Sequence, residues 1–361
     1  MKTVLIVAGG TGGHLYPGIA LAEELTSRGY SSEFCVSVGD RCIPVLEKHG
    51  YAYHRISIKG LPRKFSLKLL AYPFLLVSGF SDARAVIGKI RPAAVAGMGG
   101  YLSFPVVCTA KMSGIGTLIH EQNCIPGLSN RVTGILADRI AVSFSETAGY
   151  FNRRKTIFTG NPVRKDITGA ADRKEAASRI GVDAGRFTVL VFGGSQGAHS
   201  INRAVTSGLS EYTDRKDDMQ FLHIAGERDA EWVRESYKIS GIKAAVFPYV
   251  HGMSDAYAVS DLVVSRSGAT TVAELASLKK PAVLIPYPHA TNNHQEYNAR
   301  FLSGKGAAVT LPEKDITAES LARTVLKFLS DPGSLDLMRE SFRDIPPADS
   351  AKLLADICVS L

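Results

Sequence analysis

Two doubly wound α/β domains facing a cleft are what this sequence predicts, and three observations predict it. Val4-Leu5-Ile6-Val7-Ala8 is an unbroken apolar run leading straight into Gly9-Gly10-Thr11-Gly12-Gly13-His14. The same order returns at Phe187–Phe192, followed by Gly193-Gly194-Ser195-Gln196-Gly197-Ala198. Short apolar runs also alternate with helical patterns through both halves. Continuous apolar strands suit parallel sheets covered on both faces, and the alternation is the βαβ signature of doubly wound sheets. A chain of 361 residues has room for two domains of about 100–200 residues each. Asn161-Pro162-Val163-Arg164 breaks the pattern and is the expected linker. The expected domains are therefore 1–160 and 161–349, with a C-terminal helix over 350–361 crossing back onto the first.

The first element is a buried strand, a glycine turn and a helix on which Leu15, Ile19, Ala20 and Leu21 recur at helical spacing. Glycine permits positive φ and close backbone approach, and the N–H groups of a helix start favour an anion. The loop therefore reads as a phosphate or diphosphate site, against the plainer reading of a tight turn. It is neither the dinucleotide fingerprint G-x-G-x-x-G nor a P-loop, since no Lys follows His14. His14 stands where a polar side chain can face the cleft, although a lone histidine is more often structural. Further strands are expected at Ser32–Val38, His54–Ser57, Ala93–Met98, Thr117–His120 and Arg139–Val142. In the second half they are expected at Phe221–Ala225, Ala244–Phe247, Leu262–Val264 and Val283–Ile285.

One segment departs from the pattern. Ile58–Phe80 mixes Lys59, Arg63, Lys64 and Lys68 with Leu, Phe and Tyr. Such a composition suits a membrane-surface element and equally a core helix with a basic, solvated start. Charge adds to the first reading. Residues 1–160 carry 18 Lys and Arg against 9 Asp and Glu, whereas the remainder carries 24 against 25. The whole basic surplus lies in the first half, which points to an anionic partner there: nucleic acid, acidic lipid or a phosphorylated substrate. Five cysteines without a C-x-x-C pair fit a reduced, cytosolic protein. The start does not read as a signal peptide, and no stretch reaches the roughly 18 apolar residues of a membrane span.

Two polar clusters in the second half follow strands. Ser265-Arg266-Ser267-Gly268-Ala269-Thr270-Thr271 opens a helix whose start is another anion site. Glu274, about one turn inside, is placed to accept from a ribose diol or simply to favour the helix dipole. His289–Asn298 is the second cluster, and His120-Glu121-Gln122-Asn123 is its counterpart in the first half. Polar groups at strand C-terminal ends usually face a ligand cleft. A metal reading is weak: the sequence has no H-E-x-x-H and no Asp-x-Asp.

Taken together and in order, Gly9-Gly10-Thr11-Gly12-Gly13-His14-x-x-Pro17-Gly18, His120-Glu121-Gln122-Asn123, Gly160-Asn161-Pro162-Val163-Arg164, Gly193-Gly194-Ser195-Gln196-Gly197-Ala198 and Ser265-Arg266-Ser267-Gly268-Ala269 carry a resemblance. Over nearly its whole length the chain resembles the MurG family, the bacterial peptidoglycan N-acetylglucosaminyltransferases of glycosyltransferase family 28. The resemblance implies a GT-B fold and transfer of N-acetylglucosamine from UDP-GlcNAc to lipid I, giving lipid II, with inversion and with no cofactor or metal. It implies that Thr11, Gly12 and Gly13 bind the donor or its diphosphate, and that Asn123, Arg164, Ser195 and Gln295 contact UDP-GlcNAc. Val250 would meet the uracil through its backbone, Ala269, Thr270 and Thr271 the diphosphate, and Glu274 the ribose. The family position beside Gln295 is often a second Gln, where this chain has His294 and Glu296. The acceptor hydroxyl must lose a proton, and a histidine near neutral pKa suits a general base, which makes His14 the leading catalytic candidate.

The implied partners are UDP-GlcNAc, lipid I, the anionic cytoplasmic face of the inner membrane and other cell-wall synthesis proteins. Nucleic acid is not among them, because DNA binding fits the charge but not the cleft motifs. A UDP-sugar epimerase of related fold is the competing enzyme, and it gives no reason for the Ile58–Phe80 segment. A non-catalytic nucleotide-sugar binder is the third reading.

Overall fold

The computed structural model describes residues 1–58, 72–169, 171–194, 197–250, 252–345 and 349–361. They form two compact units, Met1–Lys165 with Ala348–Leu361, and Asp166–Pro347. Residues 161–165 thus count with the first unit.

The first unit is built on β1 (Thr3–Val7), β2 (Ser31–Ser37), β3 (Tyr53–Ile56), β4 (Ala94–Gly97), β5 (Gly116–Glu121), β6 (Arg139–Val142) and β7 (Thr156–Phe158). All pair in parallel, in the order β3-β2-β1-β4-β5-β6-β7. The chain winds outward from β1 to β3, then returns to the other side of β1. The order therefore reverses between β1 and β4, the place where such sheets bind ligands.

Burial on both faces explains why β1 is apolar from Val4 to Val7. Val4, Ile6 and Ala8 enter one core with Leu15, Ile19 and Leu21 of the helix Gly12–Ser27. Leu5 and Val7 enter the opposite core with Ala83 and Ile87 of the helix Tyr72–Ile90 and Val106 and Val107 of the helix Ser103–Met112. With both faces covered, Val4 to Val7 are buried whichever way they point, which favours apolar residues at each of them. The C-terminal helix Ser350–Ser360 belongs to this unit: Leu354, Ala355, Ile357 and Cys358 join the first core, and Arg28 pairs with Asp356 at 2.6 Å.

The second unit repeats the plan with β8 (Phe187–Phe192), β9 (Met219–Ile224), β10 (Ala244–Phe247), β11 (Leu262–Ser265), β12 (Ala282–Leu284) and β13 (Ala308–Thr310). These are again all parallel, in the order β10-β9-β8-β11-β12-β13. Its reversal lies between β8 and β11. The sequence reading did not include β7 and β13. Each is a three-residue edge strand, and β7 is largely open to solvent.

Lys59, Arg63, Lys64 and Lys68 lie outside the described residues. The helix that follows them, Tyr72–Ile90, buries Ala83 and Ile87 while Phe74 and Val77 are 78% and 69% exposed. Among the described residues no helix is long and apolar enough to cross a membrane. All five cysteines are buried, free thiols.

Candidate functional site

In the first unit the ends of β1, β4 and β5 bring three loops together. The loop after β1 is held by a residue the sequence reading did not single out. Gly10, at φ +82°, donates its backbone N–H to Asp40 Oδ2 at 2.8 Å, and a Cβ at Gly9 would sit 2.5 Å from that same oxygen. Asp40 also accepts from the Ser37 hydroxyl and the Cys42 N–H. Burial works to raise the Asp40 pKa, but these donors from Cys42, Gly10 and Ser37 outweigh it and hold it below the ordinary aspartate value. The Gly10 N–H is therefore committed to a carboxylate. Thr11, the N-cap, is exposed, and Gly12 and Gly13 open the helix behind it, half-buried.

His14 stands half-buried in the first turn of that helix. Its Nδ1 lies 3.1 Å from Gln122 Oε1. Gly99 and Gly100, at φ +99° and +77°, pass beside the ring, and a Cβ on Gly99 would come within 2.9 Å of Nδ1. Gln122 follows β5, and two residues before it His120 is wholly buried. Burial pushes the His120 pKa down to about 4, so that ring is neutral at physiological pH.

The polar run at the end of β5 serves two purposes because strand side chains alternate. His120 and Gln122 share the His14 side. Glu121 turns the other way and accepts from the Asn123 and Gly127 backbones and from Asn130 Nδ2. Burial raises the Glu121 pKa against those donors. Asn123, named from the sequence as a donor contact, is half-buried beside Glu121. Arg164 sits with its guanidinium 4.4 Å over the Tyr16 ring, close to the helix that carries His14.

In the second unit the ends of β8, β11 and β12 form the corresponding edge. Ser195 lies outside the described residues. Around it, Gly197 at φ +75° packs so closely that a Cβ would meet Ala225 O at 2.2 Å. Arg266, after β11, donates to the carbonyls of Ile285 and Pro286 and to the Ser200 hydroxyl, pairs with Glu313, and lies over Tyr287. Ser267 donates to Gln295 O, while Gln295 Oε1 accepts from the Tyr287 N–H at 3.0 Å. Gln295 is thus tied to two strand ends.

Ala269 is buried at the start of the helix Ala269–Leu278, with Thr271 half-buried beside it. The Thr270 hydroxyl is buried there without a hydrogen-bond partner. Buried hydroxyls nearly always find a partner, so this one has hydrogen-bonding capacity left over at the helix start. Glu274, buried, accepts from the Tyr257 hydroxyl at 2.7 Å. Val250 is half-buried just after β10. His294 bonds the Thr291 carbonyl, and burial lowers its pKa. Glu296 pairs with Asn293 and Arg300.

Comparison with known proteins separates the competing readings. Residues 4–142 match the glycosyltransferase family 28 N-terminal domain, and residues 188–353 match the glycosyltransferase family 28 C-terminal domain. A UDP-N-acetylglucosamine–N-acetylmuramyl-(pentapeptide) pyrophosphoryl-undecaprenol N-acetylglucosamine transferase of Myxococcus xanthus is 42% identical, across 100% of this chain and 93% of its own. The crystal structure of MurG from Acinetobacter baumannii superposes with a TM-score of 0.78 at 25% identity, over 100% of both chains. A UDP-GlcNAc 2-epimerase from Neisseria meningitidis, bound to UDP-GlcNAc, covers 100% of both chains with a TM-score of 0.71, but at 13% identity. That last likeness is one of fold alone.

Proposed function

The chain belongs to glycosyltransferase family 28, and from that premise we propose that its two units divide one reaction between them. It is a GT-B enzyme that transfers N-acetylglucosamine from UDP-GlcNAc to undecaprenyl-diphosphate-linked N-acetylmuramyl-pentapeptide, lipid I, and so forms lipid II. The observation that carries this is the 42% identity over the entire chain to a transferase of that name.

The acceptor hydroxyl attacks the anomeric carbon of the donor sugar. A new carbon–oxygen bond forms as the bond to the UDP oxygen breaks, with inversion. His14 takes the hydroxyl proton. Its support is its place beside the β1–β4 reversal, where a reacting group would sit. The charge that develops on the departing diphosphate is met by the start of the helix Ala269–Leu278 and the unpartnered Thr270 hydroxyl, because helix-start N–H groups stabilise such charge without a cation. Ala269 and Thr271 flank that contact, and Thr11, Gly12 and Gly13 would meet the diphosphate from the first unit. Glu274 accepts from the ribose, the Val250 backbone meets the uracil, and Asn123, Arg164, Ser195 and Gln295 complete the donor contacts.

The same reading puts the enzyme at the cytoplasmic face of the inner membrane, with other cell-wall synthesis proteins as neighbours. A soluble donor has to meet a lipid-linked acceptor. The basic surplus of the first half and the exposed Phe74 and Val77 just beyond the basic segment suit an anionic surface.

Incubation with radiolabelled UDP-GlcNAc and a lipid I analogue tests the whole. Net transfer is expected, and it should persist in EDTA. Interconversion of the sugar without acceptor would favour the epimerase, and binding without turnover a sugar-nucleotide receptor.

A further inference from the structure

We propose that Gln122 and His120 form a tautomer-setting chain behind His14, running from the Gly160 carbonyl to the catalytic ring. It rests on the reading of His14 as the base, and it gives that base its orientation and its proton arrangement.

The direction of every proton in the chain follows from one group that can only accept. Gln122 Nε2 lies 2.6 Å from the Met98 carbonyl oxygen. A carbonyl has no proton to give, so the amide nitrogen points there and the amide cannot be flipped. The second Nε2 proton lies between His120 Nδ1 at 3.0 Å and the His120 carbonyl at 3.3 Å, and a proton on Nδ1 would face that donor, so Nδ1 is the bare nitrogen. His120 is neutral and carries one ring proton, which is therefore on Nε2. There it donates to Gly160 O at 3.1 Å, with the Ser143 hydroxyl 3.3 Å away.

At the other end, Gln122 Oε1 can only accept, so His14 Nδ1, 3.1 Å away, carries the proton in the neutral ring. The lone pair of His14 is then on Nε2. A neutral imidazole has one donor and one acceptor nitrogen, and its partner decides which is which. The bare backbone at Gly99 leaves room for this contact: a Cβ there would lie 2.9 Å from Nδ1 and 3.3 Å from Gln122 Oε1.

When His14 takes the acceptor proton on Nε2, Gln122 Oε1 holds the Nδ1 proton of the resulting imidazolium. The amide thus does with a dipole what a carboxylate does in other base–orienter pairs. It fixes the ring without the charge that would raise the ring's pKa. His120 completes the arrangement: burial keeps it neutral at physiological pH, so that it offers Nδ1 as an acceptor there. Gln122 and His120 are positioning residues.

The test is nitrogen NMR of the full-length enzyme labelled with 15N-histidine, the His14 signals being assigned by their loss in His14→Ala. The wild type should show the Nδ1–H tautomer at His14, and the Nε2–H tautomer there would overturn the chain without any variant. In Gln122→Leu the Nδ1–H population should fall and kcat should drop at least tenfold, with UDP-GlcNAc affinity unchanged by calorimetry. Gln122→Glu keeps an acceptor toward His14 and loses the Nε2 donor. It also puts an oxygen where Nε2 donated to the Met98 carbonyl, so that oxygen has to carry a proton, and the protonated side chain should restore the Nδ1–H tautomer at His14 only in part. If Gln122→Leu leaves the tautomer as it was, the chain is wrong. A tautomer that shifts while kcat stays constant would leave the chain standing and remove His14 as the base.

Discussion

At the end of β1 the glycine loop leans on a side chain: Gly10 donates to Asp40, and Gly9 is kept small by the same carboxylate. At the end of β8 the corresponding loop leans on main chain, with Gly197 against the Ala225 carbonyl. The surroundings differ in the same sense. His14, Gln122 and His120 are hydrogen-bonded side chain to side chain in the first unit. In the second, Ser267 and Tyr287 bond Gln295, and Arg266 donates to the Ile285 carbonyl and lies over the Tyr287 ring, which ties the strand ends into a frame. The first arrangement suits a group that must exchange a proton, the second a surface that must keep its shape around a nucleotide. One fold, used twice, is thus specialised by which atoms brace its loops.

The sharpest way to break that division is kinetic. His14→Ala should lower kcat by roughly 100- to 10,000-fold, the usual range for losing a general base, while UDP-GlcNAc affinity stays within about twofold. Stopped-time transfer assays beside calorimetric titration would show it. A large loss of affinity with little change in kcat would assign His14 to binding and erase the contrast. The basic segment extends the contrast to the membrane. Reversing Lys59, Arg63, Lys64 and Lys68 to Glu should abolish co-sedimentation with anionic liposomes, since each basic group at such a surface contributes about 1 kcal/mol. Donor affinity should hardly move, and a variant that still sediments like the parent would make the segment core or solvated surface.

In the second unit the expected loss is smaller and falls on binding. Glu274→Ala should weaken UDP-GlcNAc by about 1–3 kcal/mol, the scale of a hydrogen bond to a charged group. It should also lower stability, because the buried Tyr257 hydroxyl loses its acceptor. Glu274→Gln keeps an acceptor for Tyr257 and separates the two effects. Unchanged affinity in both variants would remove Glu274 from the ribose site.

How much of this was legible in the sequence depends on what carries each feature. Strands buried on both faces announce themselves as apolar runs, and with the shorter half-buried edges β3 and β10 this made eleven of the thirteen strands among the described residues legible. β7 and β13 were not, because three residues at a sheet edge bury too little to leave a pattern. The glycine loops were legible as turns, but Asp40 was not. It lies 30 residues from Gly10, and only the β1–β2 pairing brings them together. His120-Glu121-Gln122-Asn123 read as one polar cluster, and the pleat of the strand end splits it into a site face and a loop-bracing face. Glu274 was legible as a helix-start carboxylate, while its partner Tyr257 comes from a different helix.

The mildest test of the contrast uses acid. Each unit holds one wholly buried histidine on a strand: His120 on β5, pushed down to about 4, and His223 on β9, bonded to Tyr237 and Asn202 and pushed down to about 3. Burial is the main cause in both. In the unfolded chain a histidine titrates near 6.5. Above that pH neither state takes a proton, and these residues leave stability independent of pH. Below it the unfolded chain binds protons that the folded chain refuses, so stability falls as pH falls from about 6.5 through about 4 and 3. His120→Asn and His223→Asn should each flatten that slope in urea melts between pH 6.5 and 4, because no ring remains to titrate. Only the His120 variant should also lower kcat at pH 7.5, where neither histidine is charged and the loss can come only from the chain behind His14. If both variants flatten the slope and neither touches kcat, His120 is as purely structural as His223, and the two units are braced for stability alone.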